Sequence, residues 1–156
     1  MYVYDTIRKN MIENTYDIFP SNGKKQFIFL SEGSQGIIAK FIFFSLMPTN
    51  EWNLGFGDWK NGDISDSVVT NNYDALKVMR TVAKATLEFF GEHPESIVVI
   101  KPVDEKRKRL YNLLFQKHFK EIDLIFKLSG FIKGIEEPYS PENTYDNFTI
   151  RLKLKS

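Results

Sequence analysis

The first third of the chain alternates bulky apolar side chains with polar or small ones, at the short period of β-strands. Residues 25–33 are rich in aromatic and β-branched side chains, residues 37–47 are apolar at nearly every position, and residues 52–57 alternate bulky side chains with Asn or Gly. Turn-forming residues separate the three segments, which predicts an antiparallel meander of three strands. Gly55 and Gly57 predict a β-bulge or a close approach of the backbone in the third strand.

From Asn72 the apolar positions follow the period of an α-helix, and Gly91 and Pro94 are expected to end that helix. Its apolar stripe consists of Ala75, Met79, Val82, Ala83, Thr86, Phe89 and Phe90. Residues 96–103 then have the pattern of a short buried strand. Because a helix connects this strand to the third strand, we expect the two strands to lie parallel in a right-handed β-α-β unit.

A second amphipathic helix is predicted over residues 105–119, with Asp104 as its N-cap. Its buried face consists of Leu110, Leu113, Leu114 and Phe119, and its solvated face of Lys106, Arg107, Lys108 and Lys117. After this helix, residues 121–135 have strand character with bends at Gly130 and Gly134. Residues 147–154 alternate as a half-exposed antiparallel strand does.

The predicted order of elements is β-β-β-α-β-α-β-β, in which the last two strands form a C-terminal β-hairpin. We therefore expect an α+β protein with a mixed β-sheet of about six strands and two principal helices. Residues 1–156 contain no internal repeat, low-complexity tract or linker, which predicts a single globular domain.

Composition and charge narrow the classes of function. The chain has no cysteine, which excludes disulfides, thiolate metal ligands and cysteine nucleophiles. The net charge of +1 argues against a generic nucleic-acid or membrane surface. The first residues lack an apolar core of signal-peptide length and no segment approaches a membrane-spanning helix, so we expect a cytoplasmic protein with no membrane partner. These features do not determine an oligomeric state.

The order of strands and helices resembles the GNAT superfamily of acetyl-CoA-dependent N-acetyltransferases over nearly the whole chain. The resemblance implies a V-shaped gap between the third and fourth predicted strands, and a glycine-rich loop that holds the coenzyme A phosphates ahead of the first helix. In this chain the equivalent loop reads SDSVVTNNYD (residues 65–74) and contains no glycine, although bare backbone amides must approach the phosphates. The expectation is a GNAT-like fold without the usual cofactor loop and without a cofactor.

Tyr111 is the candidate catalytic residue that the GNAT resemblance implies. Many acetyltransferases carry a tyrosine on the equivalent helix, and its hydroxyl protonates the departing thiolate. The alternative for Tyr111 is ordinary packing with a satisfied hydroxyl.

Three ordered blocks of sequence are similar to a family of small uncharacterised bacterial proteins. They read TNNYDALKVMRTV (70–82), HPESIVVI (93–100) and RKRLYNLL (107–114), against family patterns of T-N-N-x-D-x-x-K-V-x-x-T-V and R-x-R-L-Y. The matching positions are Thr70, Asn71, Asn72, Asp74, Lys77, Val78, Thr81, Val82, Arg107, Arg109, Leu110 and Tyr111. The chain reads KPVD at residues 101–104, where the family has G-S-T. This resemblance implies no assigned activity.

The polar segment that opens the first helix has two interpretations. Asn71 or Asn72 can cap the helix, with Asp74 in its first turn favoured by the helix dipole. Alternatively, these side chains add donors to the free amides of the helix N-terminus and bind a polar ligand or a peptide edge; the Asp74 carboxylate disfavours a naked phosphate there.

We place the predicted ligand- or partner-binding surface on this segment and on the second helix. Both follow adjacent parallel strands, at the edge where open α/β sheets bind their ligands. The predicted residues are Thr70, Asn71, Asn72, Asp74, Lys77, Arg107, Arg109 and Tyr111.

Other charged residues have simpler interpretations. Lys101 and residues 106–109 form a basic run that either pairs with Asp58, Asp63 or Asp66 on a solvated surface, or contacts an acidic partner or phosphates. The three aspartates lack the alternating ligands and terminal glutamate of a calcium loop, so no metal site is predicted.

The two histidines and the aromatic residues around the polar loop add little chemistry. His93 and His118 have no Ser or Cys nucleophile near them in the sequence, so a catalytic triad is not supported. Four aromatic residues either wall a pocket or close the end of the core, and we favour the second: Trp52, Phe56, Trp59 and Tyr73.

The expected function is that of a non-enzymatic binding or regulatory module in the bacterial cytoplasm, in a stress, defence or toxin-antitoxin setting. Its partner would be a protein or a small polar ligand. The alternative is an N-acyltransferase that binds acetyl-CoA through a non-standard loop. Contact of the basic helix with nucleic acid is a third and less favoured possibility.

Overall fold

The computed structural model describes residues 14–60, 63–65 and 74–153. The strands are β1 (Phe19–Ser21), β2 (Gln26–Gly33), β3 (Gly36–Leu46), β4 (Trp52–Lys60), β5 (Asp63–Ser65), β6 (Val98–Ile100), β7 (Phe126–Ile132), β8 (Ile135–Pro138) and β9 (Asn147–Leu152). The helices are α1 (Ala75–Glu92) and α2 (Glu105–Asp123). One mixed sheet with two principal helices confirms the predicted α+β class.

The strands form a single sheet in the order β1-β2-β3-β4-β6-β9-β7-β8, with β5 paired to β4. The predicted meander is confirmed, because β2, β3 and β4 pair antiparallel. The predicted parallel pair is confirmed too, since β4 and β6 run parallel. Strand β9 inserts between β6 and β7 and is antiparallel to both.

The sheet has more strands than the six or so predicted. The additional strands are β1, β5 and β8, which have three, three and four residues. Such short segments cannot display a period-two pattern of their own. The last two predicted strands, β7 and β9, pair antiparallel, but β8 lies between them in the chain, so they do not form the predicted hairpin. The hairpin consists of β7 and β8, joined by Lys133 and Gly134 at φ values of 51° and 80°. Both positions are left-handed, as a two-residue hairpin turn requires.

One face of the sheet packs against both helices. The alternation along β4 is as predicted, because Trp52, Leu54 and Phe56 all pack against the core. The ring of Phe89 on α1 is stacked 4.2 Å from the ring of Phe44 and contacts Trp52 edge-on at 5.1 Å. Burial of a side chain such as Phe89, which has no exposed surface, contributes about 1.5–3 kcal/mol.

Helix α2 packs on the other half of the same face. Its Phe115 ring lies 4.6 Å from Phe148 of β9 in an edge-to-face contact. The helix deviates from regular geometry at His118, where φ is −115° and ψ is 18°. No helix within the described ranges is long and apolar enough to cross a membrane.

Gly55 allows a close contact rather than a bulge. The register of β3 and β4 continues without interruption through Phe43 opposite Gly55. The Phe43 ring lies across Gly55, so closely that a Cβ atom there would be 2.1 Å from Phe43 Cζ. Of the two predicted roles, the close approach is confirmed and the bulge is wrong.

The ends and faces of the helices correct several predictions. Helix α1 begins at Ala75 rather than Asn72 and continues through Gly91 to Glu92. Asp104 caps α2 as predicted, because its Oδ1 accepts the Arg107 N–H at 2.8 Å. Leu113 was expected to be buried but is 60% exposed. Helix α2 faces the sheet through the aromatic side of its surface, which turns Leu113 to solvent.

Candidate ligand-binding site

A cleft opens in the sheet where β4 and β6 separate. Their parallel ladder has only two residue pairs, Trp52 with Val98 and Asn53 with Val99. Strand β5 pairs with β4 from Asp58 onward. Between these pairings, residues 54–57 have a strand partner on the β3 side alone among the described strands. Their other main-chain edge therefore faces the cleft, where polar backbone groups need a hydrogen-bonding partner.

A cavity of about 520 Å³ lies between α1, α2 and the sheet, next to this cleft. Its walls are mainly apolar: α1 contributes Val78, Met79 and Val82, and α2 contributes Leu110 and Leu114. A smaller space of about 80 Å³ occupies the cleft itself and shares wall residues with the cavity. The volume of the larger space is within the range of about 300–1,000 Å³ that small-molecule sites occupy.

Lys40 and Asp58 form a buried ion pair at the cavity. They lie directly opposite each other on β3 and β4 and are 2% and 1% exposed. The Lys40 ammonium donates a hydrogen bond to Asp58 Oδ1 and sits 5.7 Å from the centre of the Phe56 ring. Lys40 is also part of the cavity wall. Two charges removed from water in this way remain stable only while each compensates the other.

The Lys40–Asp58 pair was not predicted from the sequence, although the alternation along β3 indicates that Lys40 is buried. Lys40 has the same parity along β3 as Ile42 and Phe44, so the alternation directs its side chain to the core. Asp58 was considered as a partner for the basic run, and the structure shows it paired with Lys40. The side chain of Asp63 and all of Asp66 lie outside the described residues.

Asp74 contributes to the cavity wall but does not cap α1 through its side chain. Its Oδ2 accepts hydrogen bonds from Ser31 Oγ at 2.5 Å and from the Tyr16 hydroxyl at 2.7 Å. Burial, together with the adjacent Asp74 carboxylate, raises the pKa of the Tyr16 hydroxyl above its ordinary value. Asp74 thus anchors the start of α1 to β2 and to the segment that precedes β1, and it is the residue before the helix rather than part of its first turn.

Lys77 also contacts Tyr16, and it does not contribute to the cavity wall. Its ammonium sits 4.2 Å from the centre of the Tyr16 ring, a favourable cation–π distance. One turn later, Thr81 accepts the Tyr16 N–H at 2.9 Å. Helix α1 therefore holds Tyr16 through several successive side chains.

Arg107 and Tyr111 lie where the cavity and the cleft meet, because both residues belong to the walls of both spaces. Arg107 was predicted to be solvated, but it is only 5% exposed. Its guanidinium donates to Asp104 Oδ2 at 2.6 Å, so the residue that caps α2 also neutralises a buried cation. Tyr111 is partly buried against the core.

The eight predicted site residues divide into three groups. Asp74, Arg107 and Tyr111 meet at the cavity. Lys77 and Arg109 do not contribute to its wall, and Arg109 is exposed on α2. The remaining three, Thr70, Asn71 and Asn72, lie outside the described residues. The three predicted residues that the structure brings together therefore lie at the space between the two helices.

An ion pair connects the two helices on another side of the cavity. Arg80 Nε of α1 donates to Glu121 Oε1 of α2 at 3.0 Å, and both side chains are about one-quarter exposed. Glu121 also contributes to the cavity wall. The pair ties α1 to the end of α2 beyond the irregular turn at His118. Burial lowers the pKa of His118 below its ordinary value.

Trp52 closes the end of the core as predicted, because its ring contacts Phe89 and lies 5.0 Å from His93. Phe56 instead lines the cavity and is stacked on Phe29 at 6.3 Å. The side chain of Trp59 and all of Tyr73 lie outside the described residues. The prediction of core closure is therefore correct for one of these rings, while a second ring walls the cavity.

The chain matches the model of a family of unknown function, DUF6934, over residues 12–153. It belongs to this family. In comparisons with curated proteins and with solved structures, nothing matches. The family match covers β1 to β9 and both helices, and so includes every residue of the cavity wall described above.

Proposed function

We propose that this DUF6934 protein is a ligand-binding module on a GNAT-like scaffold, whose ligand is a small molecule in the cavity between α1 and α2. The observation that carries the proposal is the cavity of about 520 Å³, which opens at the place where two parallel strands separate. Open sheets with parallel strands commonly bind ligands beyond the carboxyl ends of such strands. Mainly apolar walls with a few polar groups are typical of small-molecule sites.

Three features of the fold support the GNAT-like part of the proposal. Strands β4 and β6 are parallel and are connected by α1, and they diverge after two residue pairs. Strand β9 lies between β6 and β7, which completes the sheet after the second helix. The divergence supports the proposal, because the resemblance implies a V-shaped gap at this position.

The state of the polar side chains favours binding over catalysis. Lys40, Arg107 and Asp74 each have a fixed hydrogen-bonding partner within the protein. No histidine occurs among the wall residues that the described part of the chain supplies. Side chains held in ion pairs can position a ligand. A general base, in contrast, must itself be available to accept a proton from the substrate. A regulatory role in the bacterial cytoplasm belongs to the same proposal.

The test compares one substitution inside the cavity with a matched one outside it. Val82→Trp places an indole in the cavity, and Leu113→Trp adds the same group at an exposed position of α2. Binding of decanoate, an apolar chain with one carboxylate, is measured by isothermal titration calorimetry. We expect binding to the unmodified protein and to Leu113→Trp, and its loss in Val82→Trp. Equal binding to both variants would place the ligand elsewhere and contradict the proposal.

A second candidate function is N-acyl transfer from acetyl-CoA. The observation that favours it is Tyr111 at the cleft, beside a stretch of β4 whose main chain faces the gap. In that case the Tyr111 hydroxyl would protonate the thiolate of coenzyme A as it departs. Calorimetric titration with acetyl-CoA separates the two functions, because the enzyme should bind it with micromolar affinity. Tyr111→Phe should then abolish turnover of an amine substrate while it leaves acetyl-CoA binding unchanged.

A further inference from the structure

The ammonium of Lys40 has more donors than the described protein groups satisfy. A lysine side chain carries three N–H donors. Within residues 14–60, 63–65 and 74–153, Asp58 accepts one of them and no other side chain or carbonyl accepts a second. The group is 2% exposed and forms part of the cavity wall. Its remaining donors are therefore close to the cavity and remote from bulk solvent.

A buried N–H group without an acceptor is costly, and a charged one more so. The Phe56 ring offers its face to the ammonium at 5.7 Å, which satisfies part of this requirement without a hydrogen bond. We propose that the ligand of this cavity presents an oxygen acceptor to Lys40 Nζ. This inference rests on the proposed binding function, and it specifies which end of the ligand enters first.

The charge balance at this depth decides the kind of oxygen. Lys40 and Asp58 together carry no net charge, so the pair already compensates itself. A ligand carboxylate beside them would bring a second buried negative charge close to the Asp58 carboxylate. A hydroxyl or carbonyl oxygen accepts the hydrogen bond without that cost. The inner end of the ligand is therefore neutral and carries oxygen.

The outer end of the ligand, in contrast, should carry a negative charge. Lys106 and Arg107 lie on the cavity wall at the start of α2, and Lys101 lies beside the cleft. Lys106 and Lys101 are exposed, so a charge that meets them stays partly hydrated. The ligand class that fits both ends is an elongated amphiphile with a carboxylate or phosphate outside, an apolar middle, and a hydroxyl or carbonyl at the inner end.

The experiment uses ω-hydroxyalkanoates and plain alkanoates of graded length: octanoate, decanoate and dodecanoate with their ω-hydroxy analogues. Each pair has the same carboxylate and differs at the inner end alone. Isothermal titration calorimetry on the full chain should show that the best ω-hydroxy acid binds about tenfold more tightly than its plain counterpart, as expected of a hydrogen bond to a charged donor. The dicarboxylate of the same length should bind more weakly than either.

Two variants locate the effect. The double variant Lys40→Met with Asp58→Asn removes both buried charges together and should abolish the preference for the hydroxy acid. Lys106→Met is the control at the outer end, and it should weaken both acids by the same factor and leave their ratio unchanged. These results would show that the preference for the hydroxy acid depends on Lys40, and that the affinity for both acids depends on Lys106.

The outcomes are distinct for the two proposals. If plain and hydroxy acids of every length bind equally well, the inference about Lys40 is overturned while the cavity remains a binding site. If none of the acids binds, the proposed function fails and the inference fails with it. The dicarboxylate comparison needs no variant, so it tests the charge argument even if the double variant does not fold. A dicarboxylate that binds more tightly than the hydroxy acid would overturn it.

Discussion

The side-chain amide of Asn112 satisfies both main-chain groups of Tyr145. Asn112 Oδ1 accepts the Tyr145 N–H at 2.8 Å, and Asn112 Nδ2 donates to the Tyr145 carbonyl at 2.9 Å. Asn112 is 4% exposed and Tyr145 has no exposed surface. The middle of α2 is thereby fixed to the segment between β8 and β9, which holds the wall of the cavity on that side.

We expect Asn112→Leu to be among the most destabilising single substitutions on α2. It leaves the N–H and C=O of Tyr145 buried without partners, at a cost of about 2–4 kcal/mol in the free energy of unfolding. Urea denaturation measures this cost. Leu113→Ala, one residue along and exposed, is the control and should change stability by less than about 0.5 kcal/mol. Equal effects of the two substitutions would show that the Asn112 bonds contribute little.

Removal of one member of the Lys40–Asp58 pair should cost more than removal of both. Lys40→Met removes the cation that pairs with the buried Asp58 carboxylate, and the expected loss is about 3–5 kcal/mol. Lys40→Met with Asp58→Asn removes both charges and should recover a large part of that stability. A double-mutant cycle by thermal or urea unfolding gives the coupling between the two residues. A coupling near zero would contradict the ion pair.

Substitutions at Gly130 and Gly55 should differ in cost, because the aromatic ring beside one glycine is held in place and the ring beside the other can move. An added Cβ would lie 2.2 Å from the Tyr145 ring at Gly130 and 2.1 Å from the Phe43 ring at Gly55. Tyr145 is fully buried and held by Asn112, so it cannot move away, whereas Phe43 is half-buried and its ring can swing outward. We expect Gly130→Ala to cost about 1–3 kcal/mol or more, and Gly55→Ala clearly less. Differential scanning calorimetry of the two variants tests the order.

Tyr139 should limit stability at alkaline pH. Burial raises the pKa of its hydroxyl from 10.0 to about 12, and this hydroxyl has no hydrogen-bond partner among the described residues. Because the folded-state pKa exceeds the unfolded one, this contribution is complete below pH 10 and is lost as the pH rises toward 12. Tyr139→Phe should be neutral or slightly stabilising at pH 7 and should unfold less readily than the unmodified protein at pH 11. If Tyr139→Phe and the unmodified protein differ in stability by the same amount at pH 7 and at pH 11, this assignment is contradicted.

Arg107 and Arg109 should differ in their effect on ligand binding. Arg107 lies on the walls of the cavity and the cleft, whereas Arg109 is exposed and contributes to neither. We expect Arg107→Met to weaken decanoate binding about tenfold, as loss of a charge-assisted contact would. Arg109→Met should change it less than twofold, although the charge removed is the same. Calorimetry on both variants distinguishes a local contact from a general effect of net charge.

The sequence predicts those parts of the fold that depend on local periodicity. The alternation in β2, β3 and β4 places Phe27, Ile42 and Leu54 on the helix-covered face, and the helical stripe identifies Phe89 and Phe90. The parallel β4–β6 pair follows from the helix between them. Strands β1, β5 and β8 are missed because three or four residues carry no period.

The functional site depends on contacts between residues far apart in the chain, which local patterns do not encode. Asp74 was interpreted as part of a helix start, but its partners are Tyr16 and Ser31, 58 and 43 positions away. Arg107 was assigned to solvent by helical spacing, yet its ion pair with Asp104 allows it to be buried. Long-range hydrogen bonds at Asp74 and charge compensation at Arg107 thus override the local pattern. The inward parity of Lys40 was the available signal for the buried pair.

The ladder of two residue pairs between β4 and β6 is the shortest among the described strands of the sheet. The ladder between β3 and β4 has seven residue pairs and that between β7 and β9 has six, so each half of the sheet is internally well connected. The junction between the halves has far fewer main-chain hydrogen bonds to resist a change in angle. We expect the sheet to bend most easily at this junction, and a ligand in the cleft would lie directly beside it. If the cavity binds a ligand as proposed, we expect occupancy to change the angle between the two parts of the sheet at this junction.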